Sequence, residues 1–252
     1  MPSEPAAVSA EQLVGVYASV TSRLRLFSSE SDAATAMTSV AAEMVPGAEF
    51  CGMTRVRPRG ALTTLGATDP LVEQVDRVQY ELGSGPCVDA LHSESPMIAS
   101  DLRRSSSWPD FGRRAAELGI LSMLSYRLHL EDHEDEDGRH VLGGMNFYAR
   151  EPEAFDVDRV LPLLHVLASF CALAIWGGSL ADHARSVEAA LTSSRDIGAA
   201  QGILMERYKV TREEAFGLLA VSSQRTNRKL RDVAVQLLET GEVPLPPPQS
   251  RR

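Results

Sequence analysis

Two groups of side chains in this 252-residue chain have the types and spacing to do chemistry. Cys87 follows Gly85-Pro86, with His92 five residues on, the arrangement that a thiol nucleophile and its base require. Thiol redox also wants a resolving cysteine, and Cys51 and Cys171 fall in strand and helix contexts typical of core. The competing reading of Cys87 is therefore structural, a small residue at the tight start of a helix. The second group is Ser222-Ser223-Gln224-Arg225-Thr226-Asn227-Arg228-Lys229, a polar run with three cations and no acid, read as the join between two helices. By composition it is a solvated turn in which Ser223 or Thr226 caps the helix that follows. By placement it is a helix N-terminus with free N–H groups, flanked by Arg225, Arg228, Lys229 and Arg231, which suits a phosphate backbone.

Two other constellations fail on inspection. The run His129, Asp132, His133, Asp135, Asp137, Gly138, His140 suggests a metal, but a calcium loop in that register would need its closing Glu at Gly144. It reads as an acidic hairpin loop, and no metal ligand set is expected. Gly143-Gly144 lies inside a strand pattern with no lysine or helix after it, so it is not a phosphate loop.

The elements that must position these groups follow from periodicity. Near the C-terminus, Ile197, Ala200, Leu204 and Tyr208 form one helical stripe. Thr211 with Glu214 makes a capping box for a second helix through Ala215, Phe216, Leu218 and Leu219. Leu230, Val233, Ala234, Leu237 and Leu238 mark a third, stopped by Gly241. Upstream, helices are expected from Glu11 to Phe27 and from Ser31 to Met44, capped by Ser31 or Asp32. A hairpin of Phe50–Val56 with 61–65 follows, turning at Pro58-Arg59-Gly60. Then come a helix over 70–81, a short strand at 97–100, a helix opened by Trp108-Pro109, and strands over 122–130 and 140–148. This order makes the fold class α+β, with a largely antiparallel sheet flanked by helices.

From Asp158 the chain is apolar nearly all round through Val160, Leu163, Leu164, Leu167, Phe170, Leu173 and Trp176, so both sides need burial. At 160–176 the apolar run is short of a membrane span and holds Pro162, His165 and Ser169; no membrane segment is expected. Gly177-Gly178 is read as a loosening point, after which Leu180, Ala184, Val187, Ala190 and Leu191 make a narrower stripe, the seam of a two-helix contact. A parallel homodimer through the 158–191 helix is expected.

Composition limits the function. Hydrophobic residues at 44% and charged residues at 23% are ordinary for a globular protein. A net charge of -9 argues against a general nucleic-acid coat, while leaving room for a local basic face. Three widely spaced cysteines without CxxC, and no leader-like N-terminus, predict a cytoplasmic protein without a disulfide framework.

The order Ala200-Gln201-Gly202-Ile203-Leu204-Met205-Glu206-Arg207, Thr211…Glu214-Ala215, Leu218-Leu219…Ser222…Asn227-Arg228-Lys229-Leu230…Val233-Ala234 resembles an ANTAR domain, a three-helix RNA-binding module of bacterial antitermination regulators. Gln201 stands where many members carry Lys; it can donate a hydrogen bond but brings no charge. The upstream element order, with Gly83-Ser84-Gly85-Pro86-Cys87 and Phe155-Asp156, resembles a GAF domain, a sensor fold with a small-molecule pocket on one sheet face. The resemblance implies phosphate contact by Arg207, Arg225, Arg228 and Lys229, and base or sugar contact by Gln201, Ser222, Gln224, Thr226 and Asn227. It further implies paired stem-loops in mRNA as partner and an effector pocket to which Cys87, Trp108 and Tyr126 belong. No catalytic residue or cofactor is expected. The expected division is a loose end at 1–9, a GAF-like sensor at 10–178, a coiled-coil-like connector at 179–194, the ANTAR module at 195–241 and a disordered tail at 242–252. The competing classes are a DNA-binding regulator, disfavoured because Ser222 to Lys229 is a longer join than a three- or four-residue turn, and a cysteine-dependent GAF enzyme acting on a small sulfoxide.

Overall fold

The computed structural model describes Gly15, Ala18 and residues 28–130 and 141–243. The expected Glu11–Phe27 helix, the acidic loop with its rejected calcium motif, the loose end and the tail lie largely or wholly outside the described residues. Contacts divide the chain into two units, Met1–Asp182 and His183–Arg252.

In the first unit, α1 (Glu30–Met44) starts at Ser29, whose hydroxyl accepts from the Asp32 N–H; Glu30 and Asp32 complement the positive end of the helix. Strand β1 (Phe50–Val56) turns through a 3-10 segment (Pro58–Gly60) into β2 (Leu62–Ala67). Helix α2 (Pro70–Leu82) is capped by Asp69, begins with proline and ends at Gly83 in the left-handed conformation. The short α3 (Pro86–Ala90), the strand β3 (Met97–Ala99) and α4 (Pro109–Glu117) lead to β4 (Ser122–His129) and β5 (Val141–Ala149). The five strands form one antiparallel sheet in the order β2-β1-β5-β4-β3. The α+β expectation therefore stands.

Alternation along the strands divides the core in two. On one face Cys51, Met53, Leu124, Tyr126, Leu128, Met145 and Phe147 pack against α1 and the long α5 (Val157–Tyr208). On the other, Met123 and Tyr148 join Val72 and Val75 of α2, Cys87 of α3 and Phe111 of α4. By length and composition α5 could cross a membrane, but Val160, Leu164, Leu167, Cys171 and Ile175 are buried in the first face's core.

Helix α5 corrects the expected loosening at Gly177-Gly178. It runs unbroken for 52 residues, so the connector and the first helix of the C-terminal module are one helix. Gly178 has a packing reason: a Cβ there would approach the Ser29 carbonyl oxygen to 2.6 Å and Glu30 N to 2.8 Å. The start of α1 lies directly on it, and Asp182 Oδ2 accepts from the Glu30 N–H at 2.9 Å one turn further on.

The second unit continues from α5 into α6 (Arg212–Thr226) and α7 (Leu230–Thr240). Both arms of the Thr211/Glu214 capping box are formed. Ala200, Leu204, Ala215, Leu219, Val233, Ala234 and Leu237 make its core. Ser222 to Thr226 is the last turn of α6, not a loop, and the join to α7 is only Asn227-Arg228-Lys229. Asn227 takes the left-handed conformation as C-cap, while Lys229 stands at the N-cap of α7 with no side-chain cap bond, so neither Ser223 nor Thr226 plays that role.

Candidate functional site

The α6–α7 corner sorts the nine residues assigned to RNA by what already occupies them. Ser222 is buried, and Thr226 Oγ1 donates back to its carbonyl at 2.7 Å. Ser223 Oγ donates to the Arg228 carbonyl at 2.6 Å, closing the corner. Arg228 lies along α7, donating to Gln236 Oε1 and, at 3.4 Å, to the Asp232 carbonyl. Gln201 Nε2 donates to the Arg212 carbonyl at 3.2 Å, and Arg207 Nη1 to the Gly241 carbonyl at 2.6 Å. Gln224, Arg225, Asn227 and Lys229 remain: all are exposed, and their side chains make no hydrogen bond or ion pair among the described residues. They cluster in sequence at the end of α6 and the start of α7. With Arg228 and Arg231 they give four cations between Ser222 and Arg231 and no acid. Such a corner presents positive charge, free N–H groups at the start of α7 and amide donors together.

In the first unit, a polar network sits beneath α2 and α3. Tyr148 Oη donates to Asp76 Oδ1, and Thr64 Oγ1 donates to Asp76 Oδ2 at 2.8 Å. Burial pushes the Asp76 carboxyl up to about 6, against the hydrogen bonds from Tyr148, Thr64 and Tyr80 that hold it down. Tyr80 Oη lies 2.8 Å from Thr54 Oγ1, which in turn accepts from Asn146 Nδ2 at 2.9 Å. Cys87 Sγ closes the network, 3.1 Å from Thr54 Oγ1 and 3.2 Å from Asn146 Nδ2.

Cys87 is fully buried, and burial, then the Asp76 charge, push its thiol up to about 12. Cys51 and Cys171 lie on the opposite face of the sheet, so Cys87 has no cysteine partner on its own side. Trp108 is buried on the Cys87 face, its Nε1 donating to Asp89 Oδ2 at 2.8 Å. Tyr126 is on the other face, edge-on to His165 with ring centroids 5.5 Å apart. The three residues assigned to a pocket are therefore not brought together.

The cleft on this unit, about 910 Å³, opens beside the network on the Cys87 side and is lined by other residues. Val56, Leu62, Val88, Leu91 and Val141 make apolar walls; Tyr80, His92, Glu94, Arg127 and His129 add polar groups. Sequence reading missed them because they come from six different elements and the loop after α3. Alternation alone put Arg127 on the face opposite Tyr126, and that was the available signal.

The first unit is thus an antiparallel sheet with helices on both faces and a one-sided cleft, and the second a small helical module with a cationic corner. The GAF domain family profile matches residues 28–175 and the ANTAR domain profile matches 185–238. The chain belongs to the GAF domain family and carries an ANTAR domain, which makes it a regulatory protein. No curated protein matches. Among solved structures, the GAF domain of a phosphoenolpyruvate-protein phosphotransferase from Acinetobacter is similar at TM-score 0.50 and 16% identity, over 72% of this chain and 99% of that one. A free methionine-R-sulfoxide reductase from Neisseria meningitidis aligns at TM-score 0.48 and 16% identity, over 68% and 94%. The former likeness speaks to the fold alone.

Proposed function

We propose that this chain is an RNA-binding transcription antitermination regulator of the cytoplasm, with residues 10–178 as sensor, 179–194 as connector and 195–241 as the RNA-binding module. The observation that carries the reading is the ANTAR match over all three helices of the second unit. The unoccupied cationic corner of Gln224, Arg225, Asn227 and Lys229 supports it. A dimer would present two such corners to a pair of stem-loops in nascent mRNA, whose splayed loop bases are read by Gln224 and Asn227 while Arg225 and Lys229 hold phosphates. Capturing the stem-loops stabilises that RNA fold at the expense of a terminator hairpin. Exposed Leu173, Trp176, Leu180, Val187 and Leu191 on α5, spaced three, four, seven and four residues apart, support dimerisation through this helix.

A DNA-binding reading gains from the structure. The join between α6 and α7 is three residues, within the range of a helix–turn–helix, so its length no longer disfavours duplex binding. The sulfoxide-enzyme reading loses: a buried thiol pushed up to about 12, with no cysteine on its face, is poorly placed to be a thiolate nucleophile.

The deciding experiment is a salt-dependent titration of the full chain with a two-stem-loop RNA from its own genome, in competition with duplex DNA. The reading expects tight hairpin binding whose log–log salt slope falls by about two in an Arg225→Ala, Lys229→Ala double variant. Preference for the duplex would replace the RNA reading with the DNA one.

A further inference from the structure

We infer that the cleft of the first unit is a receptor for a small organic monocarboxylate with an apolar body, and that Arg127 is the residue that takes its carboxylate. This rests on the sensor reading above and gives it a ligand class.

The walls set the first half of that class. Val56, Leu62, Val88, Leu91 and Val141 come from both sheet and helices, and a cleft of about 910 Å³ accommodates a ring or branched chain rather than a lone ion. Arg127 sets the second. It is half-buried on β4, its guanidinium has five N–H donors, and its one side-chain hydrogen bond among the described residues goes to Glu94 Oε1 at a long 3.4 Å. The Glu94 side chain is 89% exposed, so water already competes for that pair and a ligand carboxylate can displace it. A guanidinium against apolar walls pairs a carboxylate through two parallel bonds.

Charge count narrows the class to a monoanion. Among the described residues Arg127 is the one permanent cation lining the cleft, and Glu94 stands beside it. A phosphate dianion would meet one positive and one negative side chain and gain little; a single carboxylate matches the site. Tyr80, whose hydroxyl is held between Thr54 and Thr64, completes a polar end to the cleft without adding charge.

The test is calorimetric titration of the full chain with phenylacetate, 3-phenylpropionate, indole-3-acetate and 4-methylpentanoate, each beside its own amide, and with phenyl phosphate. At least one acid binds, its amide at least tenfold weaker. Arg127→Gln weakens the acid at least tenfold and leaves the amide unchanged, while Glu94→Gln tightens the acid. Binding of acid and amide alike, preference for phenyl phosphate, indifference to both substitutions, or no binding by any acid would overturn the assignment. Thermal melts of each variant without ligand separate a lost contact from a lost fold. Repeating the RNA titration with the bound acid separates the two claims: an acid that binds through Arg127 but leaves RNA affinity unchanged keeps the ligand class and removes the sensory coupling.

Discussion

Arg207 Nη1 donates to the Gly241 carbonyl oxygen across 2.6 Å, tying the last turn of α5 to the C-cap of α7. The cation meets the negative end of a helix whose last turn has no basic residue of its own. Arg207 thus has a structural occupation where the family resemblance implied phosphate contact.

Arg207→Ala is therefore expected to lower the stability of the C-terminal unit by about 0.5–1 kcal/mol. Hydrogen exchange localises the loss to the last turn of α7. If exchange there is unchanged while RNA affinity falls, the residue is an RNA contact and the staple is incidental.

The two adjacent glycines of α5 should respond in opposite ways. A Cβ on Gly177 meets nothing within 4 Å, so Gly177→Ala gains up to about 1 kcal/mol of helix stability. A Cβ on Gly178 meets the backbone of Ser29 and Glu30, so Gly178→Ala must displace the start of α1 and lowers the melting temperature. Equal effects in a pair of thermal melts would contradict this packing.

Asp76 links stability to pH. Its carboxyl titrates near 6 in the fold against an ordinary 3.8, so its contribution is complete below about 4 and is lost as pH rises through 6. The loss amounts to roughly 3 kcal/mol by neutral pH. In urea unfolding at several pH values, wild type should weaken relative to Asp76→Asn between pH 4 and 7. A constant difference between the two proteins would show that Asp76 does not titrate in that window.

Cys51, Cys87 and Cys171 are all buried, and burial raises all three thiols, Cys87 and Cys171 to about 12. Alkylation by iodoacetamide at pH 8 should be slow in the native protein and rapid for all three in denaturant. Fast native labelling of Cys87 would revive its reading as a nucleophile.

The exposed α5 stripe predicts a dimer. Leu180→Lys with Leu191→Lys should halve the mass seen by sedimentation while far-UV circular dichroism retains the helical signal. An unchanged mass would place any self-association elsewhere.

What the sequence determined by itself is what neighbours in the chain settle. The Thr211/Glu214 capping box, the Gly241 stop, the apolar face of α7 and the alternation of β4 all arise within a few residues, so type and spacing carry them. The last turn of α6 was misread because the exposed face of a helix has the composition of a loop; Thr226 bonding back to the Ser222 carbonyl is a choice the helix made available. Only tertiary structure decided the rest. Gly178 became a contact with the start of α1 rather than a break, since that neighbour is some 150 residues away in the chain. Tyr148 and Asp76, 72 residues apart, meet because strand order sets β5 next to β1, over which α2 packs. Cys87 and Tyr126 part because the sheet stands between them, and Arg127 reaches the cleft because the pleat turns it the other way.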